Sequence, residues 1–111
     1  MIKVTFYRLS EHYVSFTANG HSRFDVKGKD IVCAAVSSLV QHTGRILHDH
    51  CNAVTKKGNG RFEVSLKEHG DLSDLLIDEL YRSLCDLQEQ FPENLSVEVK
   101  EDANRYTNVC P

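Results

Sequence analysis

The sequence predicts an α+β fold in which two helices pack on a single layer of mostly antiparallel sheet, in the order β-β-α-β-β-α-β. Several short runs alternate apolar and polar residues, which is the pattern of a half-buried strand. Two longer runs instead repeat apolar residues at helical spacing. Between two of the alternating runs stands the segment Gly58-Asn59-Gly60, which is typical of a hairpin turn. Together these observations predict the order of the elements.

The N-terminal part of the chain predicts a hairpin followed by a loop. Residues 2–7 and 13–18 alternate apolar and polar side chains, and the short Ser10-Glu11-His12 link between them suits a hairpin. The alternation breaks from Gly20 to Lys29, where glycines and charged residues predict an exposed, mobile loop. The first helix is therefore expected to begin after this loop.

That helix is predicted to run from Asp30 to about His48, with Asp30 as its N-cap. Gly44 interrupts it, at a cost of about 1 kcal/mol relative to alanine. One face of the helix is apolar and is expected to cover the sheet. The residues on this face are Val32, Ala35, Val36, Leu39, Val40, Thr43 and Leu47.

The rest of the chain predicts a second hairpin, a long helix and a last strand. The hairpin strands are residues 52–57 and 61–67, the helix runs from about Asp71 to Gln90, and the last strand covers residues 95–99. Residues 101–111 show no packing pattern and are expected to form a frayed tail of a single domain that spans residues 1–111. The apolar stripe expected on the long helix consists of Leu72, Leu76, Leu80, Leu84 and Leu87.

Composition excludes several classes of protein. With 111 residues, 41% of them hydrophobic, the chain can bury a core of its own. A net charge of −3 argues against a free-standing nucleic-acid binder, because such proteins carry a basic excess. The alternating N-terminus predicts a strand and not a signal peptide, and no stretch approaches the roughly 20 apolar residues of a membrane span. These features predict a cytoplasmic protein whose four cysteines stay reduced.

Cys33 is the strongest candidate for a reactive group. It follows the expected cap, Asp30, by three residues, which places it in the first helical turn, where unpaired backbone N–H groups favour a thiolate. His21 stands upstream in the glycine-bounded loop and could serve this sulfur as base and acid at neutral pH. Ser37 follows Cys33 by four residues and therefore shares its helix face. Asp30 either caps the helix only or also orients His21. A cysteine nucleophile and a histidine general base are the smallest set of side chains that catalyses nucleophilic acyl transfer.

The same residues have plainer interpretations. Most cysteines in helices are small core residues, so Cys33 could belong to a non-enzymatic interaction module. It could also belong to a thiol redox sensor, although no resolving cysteine stands nearby in the sequence. The other cysteines, Cys51, Cys85 and Cys110, lack such a setting and are interpreted as structural. The run from His48 to Cys51 has no second pair at zinc-ligand spacing, so we expect no metal.

The segment around Cys33 resembles the ribosomal-processing cysteine protease family of bacteria, called Prp. The resemblance rests on Gly20-His21, a glycine-containing loop, and the run Gly-Lys-Asp-Ile-Val-Cys-Ala-Ala-Val-Ser from Gly28 to Ser37. The length of the chain and its order of elements fit that family along most of its course. Ser22 departs from the pattern, because an alanine is common after the Gly-His pair.

The resemblance implies a cytoplasmic, homodimeric cysteine endopeptidase without a cofactor. Its implied substrate is the N-terminal extension of large-subunit ribosomal protein twenty-seven, removed before or during ribosome assembly. No direct nucleic-acid partner and no membrane partner are implied. Cys33 matches the nucleophile, His21 matches the general base, and Asp30 and Ser37 match supporting positions.

The resemblance also implies a mobile segment that closes over the substrate. This substrate loop consists of Ser22, Arg23, Phe24, Asp25, Val26, Lys27, Gly28 and Lys29. Backbone N–H groups of the first helical turn, around Ala34, are expected to stabilise the oxyanion because they lack intrahelical partners.

Overall fold

The computed structural model describes residues 1–20, 27–101 and 105–107, with side chains for residues 1–20 and 31–101. These residues form helices and strands in the predicted order, from the first hairpin to the last predicted strand. They are β1 (Ile2–Leu9), β2 (His12–Asn19), α1 (Lys27–Cys51), β3 (Ala53–Gly58), β4 (Arg61–Leu66), α2 (Asp71–Gln90), β5 (Leu95–Glu101) and β6 (Arg105–Thr107).

The strands form one sheet in the order β3-β4-β2-β1-β5-β6. Neighbouring strands are antiparallel except β1 and β5, which pair in parallel. Both helices supply buried side chains to the same core, and the opposite face of the sheet carries polar residues such as Lys3 and Glu98, which form an ion pair of 3.0 Å. The predicted α+β fold, with two helices on a mostly antiparallel layer, is therefore confirmed.

The core lies between the sheet and the helices because the strands alternate. Phe6 of β1 and Phe16 of β2 are fully buried, and their ring centroids lie 5.7 Å apart. Val36 and Val40 cover the sheet from α1, and Leu84 covers it from α2. Burying each such side chain contributes roughly 1.5–3 kcal/mol, so the alternating pattern determines which face of each strand meets the helices.

Helix α1 is longer at both ends than its sequence pattern indicates. It begins at Lys27, so Asp30 lies inside the helix and is not its N-cap, and the last three residues of the predicted loop belong to the helix. Once a helix has nucleated, each added residue gains a hydrogen bond without needing a core contact, so charged residues and a glycine can extend it. The helix ends at Cys51, and Asn52 follows with a φ of 54°, a left-handed conformation that asparagine tolerates at a helix end.

Gly44, expected only to weaken α1, lies where the helix approaches β4 closely. A Cβ atom at this position would lie 2.8 Å from Cζ of Phe62 and 3.2 Å from Cγ2 of Val64. The absence of a side chain thus lets α1 settle against the second hairpin, which offsets the cost of a glycine within a helix.

Helix α2 has the predicted bounds, but its buried face differs from the predicted leucine stripe. Leu80 and Leu84 are buried as expected, whereas Leu72 is 51% exposed. Ser73 and Ile77 take the core positions of the first turns instead. Four-residue steps advance by more than one helical turn, so a row of such leucines drifts around the helix and leaves the core-facing side. Neither helix of the described residues is long and apolar enough to cross a membrane.

The predicted frayed tail contains regular structure. Strand β5 extends to Glu101, and residues 105–107 form β6 antiparallel to it, with Lys100 opposite Tyr106. Three residues are too few to show an alternating pattern, and the pairing depends on the free edge of β5.

Candidate active site

A groove lies between α1, the end of β2 and the turn that joins β3 to β4. Its volume is about 160 Å³. The groove is mainly apolar, because α1 and the sheet both turn core-type residues towards it. These apolar residues are Ile2, Ala18, Val36, Val40 and Phe62. An extended peptide segment with apolar side chains would therefore find matching surface here.

Cys33 opens onto this groove. Its thiol is free and its side chain is partly exposed. Ser37 and Gln41 follow at four-residue intervals on the same face of α1 and line the same groove. The structure thus brings Cys33 and Ser37 together, as the sequence predicts.

The N-terminal geometry predicted for Cys33 and Ala34 is wrong. Because α1 begins at Lys27, Cys33 is the seventh residue of the helix and lies in its second turn. The backbone N–H of Ala34 therefore points to a carbonyl one turn earlier and is not an unpaired first-turn donor. The side chain of Ala34 is also exposed and does not line the groove. We therefore assign it no role in stabilising an oxyanion.

Gly20 brings the chain to the groove immediately before His21. Its N–H donates a hydrogen bond of 2.9 Å to the carbonyl of Gly60, which fastens the end of β2 to the turn of the second hairpin. Gly20 and Cys33 line the same groove. His21 lies outside the described residues, as do the predicted loop residues Ser22, Arg23, Phe24, Asp25 and Val26. Lys27, Gly28 and Lys29 belong to the first turn of α1.

Replacing Gly20 with alanine is expected to lower the free energy of unfolding by about 1–3 kcal/mol and to reduce peptide cleavage. Gly20 has a φ of +93°, and an added Cβ would lie 2.5 Å from the carbonyl oxygen of Met1. Gly58→Ala is a matched control, since Gly58 lines the same groove but a Cβ there meets nothing within 4 Å. Urea unfolding and a cleavage assay measure the two effects. Equal stability of the two variants would contradict the prediction.

The sequence did not single out Gln41 and Lys57, which complete one rim of the groove. Nζ of Lys57 donates to Oε1 of Gln41 at 3.1 Å, and Nε2 of Gln41 donates to Oγ of Ser37 at 2.5 Å. The spacing Cys33, Ser37, Gln41 could have indicated Gln41, because four-residue steps share a helix face. No local signal indicates Lys57, which reaches α1 from β3.

Arg61 supplies a second cation at the groove, but its charge is already paired. Its guanidinium contacts Oε2 of Glu63 at 3.2 Å and donates to Oδ1 of Asn19 at 2.7 Å. The hydrogen bond with Glu63 raises the pKa of Arg61, and the same bond lowers the pKa of the Glu63 carboxyl. Lys57, by contrast, forms no ion pair with a carboxylate among the described residues. Its positive charge therefore remains available at the rim.

The structure assigns the groove no described side chain from Asp30 or from the remaining cysteines. The backbone of Asp30 is helical, while its side chain and Cys110 are not described. Cys51 is a free thiol at the end of α1, and Cys85 is disulfide-bonded, so the expectation of reduced cysteines is wrong at Cys85.

The run from His48 to Cys51 is exposed over most of its length. His48 contacts Asp49 at 3.0 Å, and this hydrogen bond lowers the pKa of the Asp49 carboxyl. Among the described residues, no three side chains of the histidine, cysteine, aspartate and glutamate types come together as a metal site would require. His48 and Asp49 therefore lie at the solvent-exposed end of α1.

Comparison with known proteins gives matches over most of the chain. The model of the family described as cysteine protease Prp matches residues 1–96. The crystal structure of SMU.848 from Streptococcus mutans has a TM-score of 0.78 and 24% identity, covering 92% of this chain and 96% of that one. No curated protein sequence matches the chain.

Two structures of an essential ribosomal processing protease Prp from Staphylococcus aureus share the fold. One holds a covalently linked product peptide, with a TM-score of 0.74 and 23% identity. The other holds a substrate peptide, with a TM-score of 0.78 and 21% identity. Each alignment covers 90% of this chain and 100% of the other.

Proposed function

The chain belongs to the family of the cysteine protease Prp, and we propose that it removes the N-terminal extension of large-subunit ribosomal protein twenty-seven. The observation that carries this proposal is the position of Cys33, a free and partly exposed thiol on an apolar groove that also receives Gly20, the residue before His21. The related Staphylococcus aureus enzyme is described as a ribosomal processing protease and was crystallised with substrate and product peptides.

In this proposal Cys33 and His21 act as a catalytic dyad. The thiolate of Cys33 attacks a backbone carbonyl carbon, so that a C–S bond forms as the C–N bond of the peptide breaks. His21 gives a proton to the leaving amine, and it then takes a proton from the water that hydrolyses the thioester. The fold supports this assignment through Gly20, which holds the chain at the groove one residue before His21.

The substrate segment is proposed to bind as an extended chain along α1. Val36, Val40 and Phe62 offer it apolar surface, while Ser37 and Gln41 offer it hydrogen bonds. The proposed substrate loop, residues 22–29 in the sequence, would close over the bound segment and exclude water from the thioester. We further propose that the enzyme works in the cytoplasm as a homodimer, as the family resemblance implies.

Neither alternative explains the groove as well. A non-enzymatic interaction module of ribosome assembly has no need of a free thiol at an apolar groove, and membership of a protease family favours the enzyme. A redox sensor needs a resolving cysteine, but among the described residues Cys33 is the cysteine that lines the groove, and Cys51 lies at the far end of α1.

Mass spectrometry can test the proposed substrate. The protein is incubated with a ribosomal protein twenty-seven that carries an N-terminal extension, and with the same protein made without the extension. We expect one cut that releases the extension and no cut in the shortened protein. Equal cleavage of both, or an intact extension after long incubation with an enzyme that cuts other peptides, would contradict the proposed substrate.

A further inference from the structure

We propose that Gln41 and Lys57 are positioning residues that aim the hydroxyl of Ser37 at a carbonyl oxygen of the bound peptide. The inference rests on the proposed function, because it needs a peptide in the groove beside Cys33. To the proposed active site it adds one hydrogen-bond donor, the hydroxyl of Ser37, and the two residues that orient this hydroxyl.

The direction of each hydrogen bond follows from the donors and acceptors present. The ammonium of Lys57 can only donate, so the atom of Gln41 that it meets at 3.1 Å must be the carbonyl oxygen. The amide nitrogen of Gln41 is thereby turned to Oγ of Ser37, which must accept, since an amide NH₂ cannot. Lys57 thus fixes an amide orientation that would otherwise be free to flip.

As a consequence, the proton of the Ser37 hydroxyl is left for another acceptor. Among the described residues, Gln41 is the hydrogen-bond partner of this side chain, and no acceptor takes its proton. A serine within a helix often donates to the carbonyl four residues earlier, but Ser37 makes no such bond. The hydroxyl lines the groove, so its proton is directed to whatever occupies the groove.

The spacing along α1 indicates which part of the peptide receives this proton. Four residues separate Cys33 from Ser37, which corresponds to a rise of about 6 Å along the helix axis. An extended peptide advances by roughly 3.3 Å per residue. The acceptor is therefore a backbone carbonyl about two residues from the one that Cys33 attacks. A backbone acceptor would hold the segment in register without depending on its side chains.

The test begins with three single variants and one double variant of Ser37 and Gln41. Gln41→Glu keeps the length of the side chain and the contact with Lys57, but a carboxylate cannot donate, so Ser37 must turn its proton to residue 41. Gln41→Met removes both hydrogen bonds and leaves the hydroxyl free to rotate. Ser37→Ala removes the hydroxyl. The double variant Ser37→Ala/Gln41→Glu shows whether the added charge acts by itself.

Two alkylating reagents separate peptide binding from thiol reactivity. A short apolar peptidyl chloromethyl ketone places backbone carbonyls in the groove, whereas iodoacetamide is too small to reach Ser37 from Cys33. The rate of Cys33 modification by each reagent is measured by mass spectrometry. Lys57→Met is a further test variant, because it removes the anchor of Gln41. Its matched control is Lys56→Met, since Lys56 precedes Lys57 on β3 and points to the opposite side of the sheet.

With the chloromethyl ketone, Gln41→Glu and Ser37→Ala should each lower the rate about tenfold, the size expected for one hydrogen bond. The double variant should be no slower than Ser37→Ala. Gln41→Met should fall between the wild type and Gln41→Glu, and Lys57→Met should be slower than Lys56→Met. The rate with iodoacetamide should stay unchanged in all of them.

Other outcomes would overturn the inference. A further loss in the double variant would show that the charge, and not the hydroxyl, causes the effect. A changed iodoacetamide rate in Ser37→Ala would show that the hydroxyl serves the sulfur of Cys33 instead of the peptide. If Cys33 of the wild type reacts with neither reagent, the proposed function itself is wrong, and the inference fails with it.

Discussion

Replacing Cys33 with alanine is expected to abolish peptide cleavage while the protein remains folded. The sulfur is the atom that forms the thioester, and no other thiol of the described residues lines the groove. Alanine is smaller, favours a helix and removes little buried surface from a partly exposed position. Cys33→Ser should also be nearly inactive, because a serine hydroxyl beside one histidine is a far weaker nucleophile than a thiolate.

Cys51→Ala provides the matched control for this experiment. Cys51 is also a free, partly exposed cysteine of α1, but it lies at the helix end away from the groove. This variant should cleave at the wild-type rate, and thermal unfolding should show both proteins folded. Cleavage by Cys33→Ala at the wild-type rate would rule out Cys33 as the nucleophile.

Replacing His21 with alanine is expected to lower the cleavage rate by about 10²–10⁴-fold, the usual contribution of a general acid and base. The leaving amine then departs without a proton donor, and water attacks the thioester without a base. Cys33 should still be alkylated by iodoacetamide, but alkylation should require a higher pH than in the wild type, because the positive charge of a protonated His21 no longer favours the thiolate. The measurement is the rate of alkylation as a function of pH, together with the cleavage rate.

His42→Ala is the control for the removal of a histidine. His42 is exposed on α1 and does not line the groove of Cys33. Its variant should keep the wild-type cleavage rate and the wild-type pH profile. If the alkylation profiles of His21→Ala and the wild type coincide, His21 is not the partner of Cys33, and the base must be sought elsewhere.

Much of the fold could be predicted because it depends on local patterns. The bounds of α2 and the hairpin turn at Asn59-Gly60 agree with the structure, since each follows from helical spacing or from glycines in the turn. The apolar face of α1 was also predicted well, with Val32, Val36 and Val40 all buried. These features need no knowledge of distant partners.

The errors lie where a distant partner or a helix end decides the outcome. Leu72 has the residue type and spacing of a core position, yet the four-residue row to which it belongs drifts around α2, so Leu72 is exposed and Ser73 is buried. Asp30 has the residue type of a cap, but α1 propagates past it to Lys27. Residues 105–107 form a strand only because the edge of β5 offers hydrogen bonds to them.

By itself, the sequence determined the α+β order of elements and identified Cys33 and Ser37 as neighbours on one helix face, because both depend on residues close together in the chain. The tertiary structure alone decided the second side of the groove. Gly20 lies at the groove because β2 pairs with β4, and Lys57 of β3 donates a hydrogen bond to Gln41 of α1. Such contacts join residues far apart in the chain, and their geometry depends on strand register and on how α1 packs on the sheet, which local periodicity does not contain.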